Sequence, residues 1–116
     1  MSTLVRIPLS GAGGASQIAV ARITTPGNTV HTASPSTGVI DFVTLYANNI
    51  STTDRVLTLE KGGVSDGNTR KYTVFGQLGD QTIWDRVPMQ SSMVLAAFAA
   101  ASSVIVLDGW VDRYTP

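Results

Sequence analysis

The stretch that most constrains this chain is VIDFVTLYANN, Val39 to Asn49. In an extended backbone, successive side chains point to opposite faces. Ile40, Phe42 and Tyr46 then share one face, and Val39, Val43 and Leu45 share the other. A strand that is apolar on both faces belongs in the middle of an assembly of strands, not at its edge. The run closes on Asn48-Asn49, read as a polar turn, and RVLTLEK (Arg55 to Lys61) follows at once. The two runs are expected to form a central hairpin with the later strands stacked around it.

The rest of the chain repeats short strand-like runs between turn signals. QIAVARIT (Gln17 to Thr24) alternates cleanly, and Thr25-Pro26-Gly27-Asn28 has the chemistry of a turn. TVHTAS, RKYTVFG and QTIWDRVP follow as further strands, separated by SPSTG, GGVSDGN and QLGD. SMVLAAFAA and VIVLDGWVDRY, joined at Ala101-Ser102-Ser103, are expected to close the fold as a second hairpin. The alanines of Ser91 to Ala101 favour a helix, but the run lacks a polar stripe and a C-terminal cap, so it is assigned as a buried strand. Roughly seven to nine short strands with turns every eight to twelve residues or so predict an all-β, antiparallel β-sandwich of jelly-roll-like type. Its core is expected to hold Phe42, Leu45, Leu57, Leu59, Val74, Leu95 and Ile105.

Residues 1–16 are set apart as an extended N-terminal arm, with the sandwich domain over residues 17–116. LVRIPL (Leu4 to Leu9) precedes the glycine-rich SGAGGAS, which is a tether by composition. An apolar segment on a tether suits docking on a neighbouring subunit, with Leu4, Val5 and Ile7 as anchors. The same composition also fits an ordinary frayed terminus. A third option is addition to a sheet edge, with Pro8 tolerated only at an edge or outside the ladder.

Charged residues make up 14% of the chain and the formal net charge is zero, against about 25% charged in an ordinary globular chain. A phosphate-binding surface needs clustered Lys and Arg, so nucleic acid is not an expected partner. No run approaches the length of a membrane span, and the first residues lack a signal-peptide core, so a product made in the cytoplasm is expected. There is no cysteine and one histidine, His31, read as a surface or turn residue. That leaves no expected metal site, and no cofactor or catalytic motif is visible. Asp85, Asp108 and Asp112 contain the ingredients of a carboxylate pair. Asp108 and Asp112 nevertheless share a strand face with Trp110 and Tyr114, and Arg86 and Arg113 are available to pair with them. An edge or interface network of Asp, Arg and aromatic residues is the expected outcome. Trp84, Trp110 and Tyr114 fit either core and assembly anchors or a sugar-stacking platform.

The order of these runs carries a resemblance. VTLYANN, a Ser/Thr-rich turn and RVLTLEKGG come first; a buried AAFAA strand, a small turn and a last strand ending GWVDRY come later. Over Val39 to Tyr114 this resembles small β-sandwich structural proteins of tailed bacteriophage virions: head-decoration and head-spike base proteins and related tail-tip components. The resemblance implies a virion protein without an active site that works by symmetric homo-oligomeric assembly, a trimer being favoured, on the major capsid protein or a fibre. Leu4, Val5, Ile7, Trp84, Trp110 and Tyr114 are the candidate assembly contacts. A tail-tip component or a carbohydrate-binding β-sandwich module is the alternative.

Overall fold

A computed structural model describes residues 2–14 and 16–116. Its longest pairing joins Ile40–Asn49 to Ile105–Thr115, antiparallel from Ile40 opposite Tyr114 to Asn49 opposite Ile105. Inward-facing pairs alternate with outward-facing ones along this ladder. Val43 lies opposite Val111 and Ala47 opposite Leu107, and all four are buried. Leu45 meets Gly109, where a Cβ would fall 2.1 Å from the Thr44 carbonyl oxygen. Only glycine allows the two backbones to approach so closely there.

In chain order the strands are β1 (Thr3–Ile7), β2 (Ile18–Ala19), β3 (Asn28–Thr32), β4 (Ile40–Asn49) and β5 (Arg55–Lys61). They continue with β6 (Thr69–Val74), β7 (Gln81–Met89), β8 (Val94–Ala99) and β9 (Ile105–Thr115). One sheet has the order β1-β9-β4-β7, with β2 pairing beside β1 along the same long strand β9; the other has the order β3-β8-β5-β6. From β2 onward every connection crosses between the sheets except the β5–β6 hairpin. This is the connectivity of a jelly roll, with two antiparallel sheets packed face to face. The expected sandwich is therefore present, and β4 sits inside its sheet between β9 and β7.

Both expected hairpins are corrected. After β4 the chain crosses to β5 in the opposite sheet, and after β8 it crosses back to β9. Asn48 and Asn49 are the last residues of the strand, not a turn. The buried Asn49 side chain organises the crossover instead. Its amide donates to the carbonyls of Thr53 (2.8 Å) and Val74 (2.9 Å), and its carbonyl accepts from the Ser51 backbone N–H and hydroxyl. Consecutive strands with one apolar face each can bury those faces by packing across a sandwich as well as by pairing at their edges. Here they pack.

Leu45, Leu57, Leu59, Val74, Leu95 and Ile105 are fully buried between the sheets, as expected. Phe42 is not among them. It lies on the outer face of β4, half-buried, with the Arg86 guanidinium 5.4 Å from its ring centre. Strand parity forbids Phe42 and Leu45 from facing the same way.

The N-terminal arm is also corrected. Residues 3–7 are β1, paired with the C-terminal half of β9 from Thr3 opposite Thr115 to Ile7 opposite Val111. Leu9 and Ala12, within and beside a short 3-10 turn at Ser10–Ala12, are buried in the core. Burial of these apolar side chains binds the segment to its own domain, so the sandwich begins well before residue 17. Met1 and Ala15 lie outside the described residues.

Candidate interaction surface

The inner and outer faces of the first sheet carry different chemistry. At one end of the inner face, Asp41 of β4 meets His31 of β3 from the opposite sheet, and both side chains are buried. The Ser10 backbone N–H donates to His31 Nδ1 at 3.1 Å. The ring proton therefore sits on Nε2, which faces Asp41 Oδ2 at 2.7 Å and donates to it. Arg113 of β9 completes the cluster. Its Nε donates to Asp41 Oδ1 at 2.7 Å and its Nη2 to Oδ2 at 2.9 Å, a bidentate pair. Burial alone would raise the Asp41 pKa, but the hydrogen bonds from Arg113 and His31 and the charge of Arg113 outweigh it and hold the carboxyl below its ordinary value. Reciprocally, the bond to Asp41 raises the Arg113 pKa. The cluster is an inter-sheet clamp.

His31 is thus a correction: it is a core residue, not a surface or turn one. Its polar neighbours in sequence conceal the fact that a carboxylate and a backbone amide satisfy both ring nitrogens. Asp41 was equally hidden, although it shares strand parity with Val39, Val43 and Leu45. Arg113 pairs with Asp41 and not with the acids of its own strand.

The outer face of a sandwich sheet is ordinarily polar. Here β4 presents Ile40, Phe42 and Tyr46 outward, β9 presents Trp110 and Tyr114, and β1 presents Leu4. Trp110 and Tyr46 pack with ring centres 5.5 Å apart. Arg6 of β1 lies over the Trp110 ring at 4.6 Å and donates from Nε to Asp112 Oδ1 at 3.0 Å. Arg86 of β7 stands on the other side of Asp112, 4.0 Å away. The expected Asp–Arg–aromatic network therefore exists, built from Asp112, Arg6 and Arg86 with Trp110 and Phe42. Asp108 is exposed and accepts from the next backbone N–H, that of Gly109, so it stands apart from this network.

Of the candidate contacts, Leu4 and Val5 are 57% and 54% exposed. Tyr114 and Trp110 are half-buried on the outer face, while Ile7 packs against the core. Trp84 faces inward, 5% exposed, with its indole N–H donating to the Tyr72 hydroxyl. It is unavailable as a surface contact. The sugar-platform option loses Trp84 for the same reason, and Arg6 already occupies one face of Trp110.

The sheet edges differ in how they are protected. β7 carries Pro88, two register shifts and Arg86 at φ 55°. β3 has a bulge, and Ser10 Oγ accepts from its Thr32 N–H. β6 exposes Arg70 and Lys71. Just past β2, the N–H groups of Ala21 and Arg22 are bonded by Asn28 Oδ1. Among the described residues, β1 and β6 are edges with an unbroken register and no proline, and only β6 of the two exposes a pair of adjacent charges, Arg70 and Lys71. The one charge of β1, Arg6, is turned onto Trp110 and Asp112. An edge of this kind is a template for pairing with another chain.

No protein-family model, curated protein or solved structure matches this chain. What is established is the class: an all-β, jelly-roll β-sandwich with an aromatic outer face that runs into an unprotected edge.

Proposed function

We propose that the protein is a non-enzymatic structural component of a tailed-bacteriophage virion, a capsid decoration or head-spike or fibre base protein that assembles as a homo-oligomer. The observation that carries this reading is the continuity of two features. The outer face bearing Phe42, Tyr46, Trp110 and Tyr114 adjoins the β1 edge, where Leu4 and Val5 are exposed. Such a surface is costly for a chain that stays alone in water. A low and unclustered charge offers little protection against association. The order of strand-like runs resembling small virion β-sandwich proteins supplies the particular setting and the expected threefold symmetry.

The test is sedimentation velocity on the purified protein, followed by co-sedimentation with phage heads lacking decoration. A discrete oligomer, a trimer in the simplest case, that adds to heads is expected. Each contact should bury at least about 1,000 Å² of total surface. A protein that stays monomeric at high concentration and binds neither heads nor tails overturns the proposal.

A further inference from the structure

On the outer face of the second sheet, Glu60 of β5 is 1% exposed. Its Oε1 accepts from the Gly27 N–H at 2.7 Å and its Oε2 accepts from the Thr25 hydroxyl. No Lys, Arg or His nitrogen lies within 4.0 Å of it among the described residues. Both oxygens accept from neutral groups, and each keeps a second lone pair. A buried carboxylate held by two neutral donors and no cation is incompletely compensated.

Glu60 also lines a half-open cavity of about 170 Å³ with Pro26, Gly63, Val64, Val94 and Ala96. Val64 and Val94 are exposed hydrophobic residues of its lining. Drug-sized ligand pockets run to roughly 300–1,000 Å³, so the space suits a single side chain. We propose that this cavity receives the lysine side chain of a partner protein, with the alkyl stem against Pro26, Val64, Val94 and Ala96 and the ammonium on Glu60. Both halves of the lining find their complement in that one group. An aliphatic residue leaves the carboxylate unanswered, and an acidic one adds repulsion. The proposal is independent of the virion reading, because it rests on a different sheet face.

The probes are n-butylammonium, Nα-acetyl-lysinamide and the neutral n-butanol, titrated into the full chain and followed by amide NMR shifts. Saturable, millimolar binding of both amines is expected of so small a ligand, with shifts centred on Gly27, Glu60, Val64 and Ala96. Butanol should bind weakly or not at all. Glu60→Gln should lower amine affinity by about tenfold or more. Because Glu60 also holds the loop at Thr25 to Gly27, Val94→Phe is the second variant. It fills the cavity from an exposed position and should abolish the amine shifts in a fully folded protein. The proposal is overturned if neither amine saturates, if butanol matches them, or if Glu60→Gln binds as wild type does. It also fails if butylammonium binds and the lysine derivative does not.

Discussion

The indole N–H of Trp84 donates to the hydroxyl of Tyr72 across 2.9 Å, tying the edge strand of one sheet to the edge strand of the other. Trp84 lies inside the sandwich, and Lys61 approaches its ring at 5.8 Å. The Tyr72 ring is half-buried and packs against the core. Trp84 therefore contributes mainly through buried area and only secondarily through the bond. Trp84→Ala should cost about 3–5 kcal/mol. Tyr72→Phe should cost about 1 kcal/mol, the net worth of a typical hydrogen bond. Urea denaturation of these variants checks both values. A Trp84→Ala cost close to that of Tyr72→Phe would mean that the ring is not packed as described.

Asp41, His31 and Arg113 predict a specific acid response. The folded-state pKa of Asp41 lies below the ordinary value of 3.8. The unfolded state therefore takes up its proton first as pH falls. The stabilisation is complete above that value and is lost as pH drops through the lower, folded one. Asp41→Asn should cost roughly 1–3 kcal/mol near neutral pH, because it weakens the hydrogen bonds that His31 and Arg113 make to this buried acceptor. Its stability should then fall less steeply than wild type below about pH 4. Denaturation midpoints of the two proteins from neutral pH down to strong acid give the comparison. Parallel curves would remove Asp41 from the acid response.

Phe42 and Leu57 provide a contrast between the two faces of the sandwich. Leu57 is fully enclosed, whereas Phe42 lies outside under Arg86. Leu57→Ala should cost about 2–5 kcal/mol. Phe42→Ala should cost roughly 1 kcal/mol, in the range of a partly exposed site. Equal costs in chemical denaturation would mean that the outer face is packed as tightly as the core.

These residues also show how far the sequence could be read. The interior position of β4 between β9 and β7 is legible in its two apolar faces, which an edge strand rarely carries. The same double apolarity conceals which face is inner, so Phe42 and Leu45 could not be separated by pattern. Alternation likewise says nothing about whether consecutive strands meet edge to edge or face to face. Asn49, a turn residue by type, spends its side chain on the crossover instead. His31 and Asp41 were illegible for a related reason. Each is polar, and the partners that make them core residues come from β9 and the Ser10 turn, remote in sequence. The outer-face network was more accessible: Asp112, Trp110 and Arg86 were visible as a set. Arg6 does not belong to that visible set, because the apolar and glycine-rich composition of residues 1–16 has the character of an arm and does not single out a strand of the same sheet.

The β1 edge makes the last prediction. Val5 lies at the middle of the strand opposite Arg113, and Leu4 lies opposite Tyr114. Both side chains are largely exposed, so charge placed there should leave the core intact. Lysine on an edge strand is a common guard against pairing with another chain, since a second strand would have to desolvate it. Val5→Lys and Leu4→Glu should therefore keep the wild-type circular dichroism and change stability by only about 0.5 kcal/mol. In sedimentation velocity both should shift the protein towards monomer, the double variant most strongly. Ile7 is the control: it packs against the core, so Ile7→Ala should lower stability before it affects assembly. If Val5→Lys and Leu4→Glu assemble as wild type does, the β1 edge is not the contact, and the aromatic outer face around Trp110 must carry assembly alone.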